Sequence, residues 1–356
     1  MSKTIAVITG SRAEYGLLES VLDAIDAHDE LELRLLVTGT HLITESKRDI
    51  RFPIAARVRM QRVGGLATRA EDVQSLSRGV AGLGRVLSQL GPDVVLVLGD
   101  RIEALAGALA AQVGGLRLAH VHGGDRAEGV ADEAMRHAIS KLAHLHFPAT
   151  SQSKQRLIRM GEDKGLVFRV GSPAVDGLKR VKPIDDAPDL VVMQHPTGAT
   201  PDEEYHRMQA TLDATAPHSR LVLAPNHDPG RNAIVRAIVD AKLTPTDHLP
   251  RAAFLALLAG TKALVGNSSA GLIEAAVLRT PAVNIGQRQA GREQPKTVVN
   301  ADHDAKSIEH AIAKALTMKT KGLRHPYGGG KSGQAIADRL ATIDLATVPL
   351  HKRNAY

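Results

Sequence analysis

Short apolar runs rich in β-branched residues alternate with helix-length amphipathic stretches almost from the first residue, and this alternation admits one broad class of fold. Strands are expected at 5–9, 31–37, 94–98, 116–121 and 145–148, with helices at 15–28, 71–90, 102–113 and 132–143. Strands separated by helices of that length do not pair as hairpins. They form a parallel sheet with right-handed crossovers and helices on its faces. The stretch 176–188 is polar, carries two prolines and reads as a linker. The pattern then restarts, with strands at 190–194, 221–224, 263–265 and 282–285 and helices at 201–214, 230–241 and from 270.

A chain of 356 residues exceeds one ordinary hydrophobic core. The expected organisation is α/β, with Rossmann-like domains at 1–175 and 189–331 joined by the linker 176–188. The segment 332–356 contributes a last helix that packs back on the first domain. Two such domains, with parallel sheets facing an interdomain cleft, describe the GT-B architecture. No run of about 18 apolar residues suggests a membrane span, and the N-terminus enters a strand without a signal-peptide pattern. The absence of cysteine removes disulfides, thiolate metal sites and cysteine nucleophiles together, and the cytoplasm is the expected compartment. A net charge of +7 invites a nucleic-acid reading, but four Tyr, four Phe and no Trp leave little for base stacking. A positive field that attracts a small phosphorylated ligand accounts for the charge as well.

Chemistry-bearing residues gather just after the expected strands, the edge at which open α/β sheets bind ligands. Asp100 and Arg101 follow the strand at 94–98, and Asp125 and Asp132 lie in and beyond the H-V-H-G-G-D run at 120–125. Asp132 is equally placed to cap a helix, and Asp100 to pair with Arg101 or Arg136. The convergence of three acids on one edge favours proton transfer on a polar substrate. In the other domain, Gly266, Asn267, Ser268 and Ser269 lead from a strand towards a helix, a setting of bare N–H groups and hydroxyls that suits a diphosphate. Glu274, about a turn into that helix, is placed to accept two ribose hydroxyls. Arg12, in the turn after the first strand, either reaches an anion or faces solvent. That turn lacks the G-x-G-x-x-G spacing of a dinucleotide site, and G-G-G-K-S at 328–332 lacks the first glycine of a P-loop. Two histidine pairs, His120/His122 and His144/His146, have strand spacing. Hydrogen-bonded histidines are the favoured reading over metal ligands, and no metal or cofactor is expected. His195 follows the first strand of the second domain, between a functional and a core reading.

These residues lie in motifs through which the chain resembles the UDP-N-acetylglucosamine 2-epimerase family, specifically its hydrolysing, sialic-acid-pathway branch. The motifs are G-S-R-A-E-Y-G (10–16), V-T-G-T-H-L (37–42), L-G-D-R (98–101), H-G-G-D (122–125), D-E-A-M-R-H (132–137), H-P-T (195–197), G-N-S-S-A-G-L-I-E (266–274), N-I-G-x-R-Q-x-G-R (284–292) and H-P-Y-G-G-G (325–330). The resemblance implies a GT-B fold and conversion of UDP-N-acetylglucosamine and water to N-acetylmannosamine and UDP, by elimination to a glycal and water addition. It implies acid/base roles for Asp100, Asp125 and Asp132, with His195 assisting. Arg12, Gly266, Asn267, Ser268, Ser269, Glu274, Arg288 and Arg292 would serve UDP, Arg101 would bind substrate, and His41 would lie on the sugar side. It further implies a UDP-sugar as partner, no nucleic acid or membrane, and a homodimer or homotetramer. The family usually carries Glu where this chain has Asp125, one methylene shorter. The alternatives are a GDP-linked or UDP-diacetamido-trideoxy sugar, a UDP-retaining epimerase, a GT-B glycosyltransferase and a nucleotide-sugar-binding protein without turnover.

Overall fold

The structure is a computed structural model that describes residues 2–43, 50–61, 68–128, 132–226, 228–247 and 249–356. The chain divides into two compact units. The first comprises Met1–Asp125, Asp132–Asp176 and Tyr327–Tyr356, and the second Arg126–Ala131 and Gly177–Pro326. The expected linker therefore lies within the second unit from Gly177 onward, and the chain re-enters the first unit at Tyr327.

The first unit runs β1 (Lys3–Thr9), α1 (Arg12–Asp26), β2 (Leu31–Thr38), β3 (Ile54–Val58), α2 (Arg69–Leu90), β4 (Val94–Leu98), α3 (Ile102–Val113), β5 (Arg117–Val121), α4 (Glu133–Leu142), β6 (Leu145–Phe147) and α5 (Ser151–Arg159). Its six-stranded sheet has the order β3-β2-β1-β4-β5-β6, with every pairing parallel. The period of two along β1 feeds two cores. Ile5 and Val7 pack in one with Leu22, Leu35 and Leu96, whereas Ala6 and Ile8 pack in the other with Leu83, Val95 and Ala108. The alanine-rich α3 lies so close to the sheet that a Cβ on Gly107 would fall 2.6 Å from Cδ1 of Ile8.

The second unit runs β7 (Leu190–Met193), α6 (Pro201–Thr215), β8 (Arg220–Val222), α7 (Arg231–Asp240), α8 (Arg251–Gly260), β9 (Ala263–Gly266), α9 (Glu274–Leu278), β10 (Ala282–Ile285), β11 (Val298–Ala301) and α10 (Ala305–Leu316). Its five strands are again all parallel, in the order β11-β10-β9-β7-β8. Each unit is thus Rossmann-like, an open parallel sheet covered by helices.

The last helix, α11 (Ser332–Thr342), belongs to the first unit. Its Ile336 and Leu340 complete the core around Leu22 and Leu35. A Cβ on Gly333 would fall 2.2 Å from the Ser20 carbonyl, so only glycine admits this approach to α1. Asp176 accepts from the N–H groups of Ser332 (2.9 Å) and Gly333 (2.7 Å), an anionic cap on the exposed donors of a helix start. At the far end, Lys3 Nζ donates to the carbonyls of Leu340, Ala341 and Ile343 at 2.5–3.1 Å. Among the described residues, no helix is long and apolar enough to cross a membrane.

Candidate active site

In the first unit, the turns that follow β1, β2, β4 and β5 carry most of the residues singled out in the sequence. The centre of the acid cluster is Arg136, on the second turn of α4 and 2% exposed. It donates to the carboxylates of Asp100 and Glu133 and, at 3.3 Å, to the carbonyl of Asp125. Burial alone would lower the guanidinium pKa. The charges of Asp100 and Asp125, with Glu133, outweigh that cost and raise it. Of the two partners offered by the sequence, Arg136 pairs with Asp100, and Arg101 lies 3.4 Å from Glu103. Asp132 occupies the N-cap position of α4 but its side chain makes no capping hydrogen bond. Asp100, Asp132 and Glu133 thus meet at one end of one helix.

Asp125 has different surroundings. It is 4% exposed; its Oδ1 accepts from Ser153 Oγ at 2.6 Å and its Oδ2 lies 2.9 Å from His122 Nδ1. The His122 Nε2 lies 2.9 Å from Ser172 Oγ, and the residue is held at φ +65°, outside the usual range for a histidine. The remaining strand histidines also face protein partners. His120 contacts Ser140 Oγ and the Gly99 carbonyl, His144 the N–H of Leu118 and the Leu350 carbonyl, and His146 the Glu162 carboxylate at 2.9 Å. Among the described residues, no group of three or more His, Cys, Asp or Glu side chains is arranged to hold a metal.

Arg12 is the first residue of α1, after the cap Ser11, whose Oγ accepts from the N–H of Glu14. His41 sits in the turn after β2, 3.3 Å from Thr9 Oγ1 and edge-on to Tyr15. Sequence reasoning missed two buried carboxylates beside them. Glu14 accepts from the Gly10 N–H at 3.2 Å, and Glu103 accepts from Gln61 at 2.8 Å. Burial first, and then the charge of Glu103, push the Glu14 carboxyl up to about 8. Glu14 lies inside the G-S-R-A-E-Y-G motif, which was the available signal.

In the second unit, β7 and β9 end side by side and Asn267 joins them. Its Oδ1 accepts from the His195 N–H at 2.7 Å and its Nδ2 donates to the His195 carbonyl at 2.8 Å. Gly266 makes the junction possible: at φ +143°, a Cβ there would fall 2.1 Å from the Met193 carbonyl. The His195 Nδ1 accepts from the Asn226 N–H at 3.2 Å, which leaves the ring proton on Nε2. Burial, reinforced by the charge of Arg288, brings the His195 pKa down to about 3. The ring is a neutral donor near pH 7. Asn226 carried no signal in the sequence beyond its turn-like P-N-H-D-P-G surroundings.

The anion cradle departs from the expected geometry. No helix begins at 270. Ser268 caps a single 3-10 turn (Ser269–Gly271), its Oγ accepting from the Ala270 N–H, and α9 starts only at Glu274 and lasts five residues. Glu274 is therefore the first residue of the helix, not one a turn inside. A helix this short adds little dipole, so any anion there depends on N–H groups, hydroxyls and arginines. Arg288 and Gln289 both donate to the Asn267 carbonyl, at 3.3 and 3.0 Å, and tie the 286–292 turn to the cradle. The Arg292 N–H closes that turn on the Gln289 carbonyl at 3.2 Å. Glu274 is 5% exposed, and its Oε1 lies 3.3 Å from Arg251.

Residues 23–341 match the model of a family described as UDP-N-acetylglucosamine 2-epimerase. A hydrolysing UDP-N,N'-diacetylbacillosamine 2-epimerase of Legionella pneumophila is 34% identical over 382 aligned positions, covering 100% of both chains. A UDP-N-acetylglucosamine 2-epimerase of Neisseria meningitidis serogroup B is 30% identical, covering 96% of this chain and 94% of its own. Among solved structures, the Methanocaldococcus jannaschii UDP-GlcNAc 2-epimerase in complex with UDP-GlcNAc and UDP superposes with a TM-score of 0.80 at 19% identity, covering 95% of this chain and 99% of that one. At that identity the likeness is one of fold, the GT-B type of two Rossmann-like units expected from the sequence.

Proposed function

The chain belongs to the UDP-N-acetylglucosamine 2-epimerase family, and from that premise we propose that it hydrolyses a UDP-linked 2-acetamido sugar to UDP and the free sugar inverted at carbon 2. The observation that carries this reading is the Asp100–Arg136–Glu133 cluster, with Asp132 on the same helix end. In the first step a carboxylate of this group takes the proton from carbon 2. The bond between carbon 1 and the diphosphate oxygen breaks, and its electron pair leaves with UDP. In the second, water adds its hydroxyl to carbon 1 of the glycal, and a proton returns to carbon 2 on the opposite face. The carbon-2 proton is only weakly acidic, so its removal must be coupled to stabilisation of the leaving group. His195, neutral and with its proton on Nε2, suits a hydrogen bond to that diphosphate. Gly266, Asn267, Ser268 and Ser269 would cradle the same group, Arg12, Arg288 and Arg292 would supply positive charge, and Glu274 would accept the ribose hydroxyls. Arg101 and His41 would lie toward the sugar.

Full-length likeness to the Legionella enzyme supports the diacetamido-trideoxy sugar as substrate ahead of UDP-N-acetylglucosamine, which the motif resemblance placed first. Incubation with each sugar in deuterated water, followed by NMR, tests the whole reading. The expected result is release of UDP with deuterium at carbon 2 of the freed sugar, faster with the diacetamido substrate. Deuterium incorporation with UDP still attached would make this a UDP-retaining epimerase. Binding without incorporation would make it a sensor or partner subunit.

A further inference from the structure

We propose that His120 is a positioning residue for Asp100, fixing the backbone that presents its carboxylate. The inference rests on Asp100 being a proton-transfer group. His120 lies on β5, is fully buried, and touches the corner after β4 through Nε2, 2.7 Å from the Gly99 carbonyl. A carbonyl only accepts, so Nε2 carries the proton and Nδ1 accepts from Ser140 Oγ, 3.1 Å away. Burial keeps this ring neutral, with its pKa down to about 3, so the tautomer holds throughout the neutral range.

The helix α4 therefore reaches the Gly99–Asp100 corner twice. Arg136 holds the Asp100 carboxylate directly, and Ser140, one turn further on, holds the preceding carbonyl through His120. Two contacts from one helix fix both the peptide and the side chain, as precise proton transfer requires. Gly123 leaves room for the relay, since a Cβ there would fall 2.9 Å from His120 Nδ1 and 3.0 Å from Ser140 Oγ. The end of α4 is itself held, because Lys352 Nζ donates to the carbonyls of Ser140 (3.1 Å) and Lys141 (2.7 Å). His144 offers a contrast: it is also buried, and its ring bonds backbone groups of Leu118 and Leu350 rather than the Gly99–Asp100 corner.

Asn reproduces the Nδ1 side of a histidine and Gln the Nε2 side, so two variants separate the relay from simple burial. In the full-length protein, His120→Asn loses the donor to Gly99 and should lower kcat by about 10- to 100-fold, with KM and UDP affinity little changed. His120→Gln should recover most of the rate, and Ser140→Ala should give a smaller loss in the same direction. His144→Asn should lower the melting temperature without a selective loss of kcat. Equal defects in His120→Asn, His120→Gln and His144→Asn, or normal kcat in His120→Asn, would overturn the proposal. So would a crystal structure of His120→Asn with the Gly99 carbonyl and the Asp100–Arg136 contact unmoved. Asp100→Asn separates this inference from the functional reading beneath it. Normal turnover there sinks both, whereas an inactive Asp100→Asn beside a normal His120→Asn sinks only the positioning role.

Discussion

Glu14 keeps its proton up to about pH 8 in the folded chain, against 4.5 for an ordinary glutamate, because its carboxyl is buried beside Glu103. A raised carboxylate pKa favours the folded state at low pH, and that advantage is lost as pH climbs from the unfolded value through the folded one. Stability should thus fall between pH 4.5 and about 8. Glu14→Gln should flatten that fall, with chemical denaturation at pH 5 and pH 8.5 as the measurement. Asp125 leads to an equally definite expectation. Its oxygens already meet Ser153 and His122, so Asp125→Asn should cost about 1–3 kcal/mol of stability and leave UDP affinity unchanged. Both oxygens of the buried Asp125 are engaged, so a longer side chain must displace Ser153 or His122 and Asp125→Glu should lower turnover; a faster Glu variant would show that the shorter acid serves a different sugar. Calorimetry with Glu274→Ala should show UDP weakened by about 1–3 kcal/mol, and unchanged affinity would remove Glu274 from the nucleotide site. Asp100 and His195 stood out in the sequence because each follows a strand, and Asp132 because it opens the next helix. Arg136 was one of two partners the sequence offered Asp100, 36 residues apart, whereas Ser172, 50 residues from His122, and Ser153, 28 from Asp125, carried no signal. A local pattern could offer Arg136 only as an alternative to Arg101, and it could not single out two serines among many.

The elements divide in the same way. Central strands such as β4, five buried residues in a row, are unmistakable in the sequence. The edge strand β3 reads I-A-A-R-V with alternate residues half-buried or exposed, which is too weak an apolar signal to distinguish from loop. Helix α10 carries a clear helical signal absent from the expected elements, for Ile308, Ala311, Ile312 and Ala315 have the helical spacing and are all buried. The expected helix at 270 failed for a reason of turn chemistry: serine capping closes one 3-10 turn before α9 can begin. Capping also explains why Asp176 is more than part of a linker. Replacing it with Ala should cost about 0.5–2 kcal/mol by exposing the first N–H groups of α11, seen as a lower urea midpoint with unchanged slope.

At the scale of the whole molecule, the first unit is built from chain segments separated by nearly all of the second. Lys3 on β1 binds carbonyls 337 to 340 residues away, and Ile336, Leu340 and Val348 sit in the same core as Ile5 and Val7. During synthesis the sheet and α1 emerge early, but the helix that covers this face is made only after the intervening unit. Domains otherwise tend to fold in order as they leave the ribosome. Here the N-terminal unit must wait, with Leu22, Ile25 and Leu35 uncovered, until the intervening unit has been made and α11 arrives. Its apolar face is a liability during translation that no longer exists once α11 has docked.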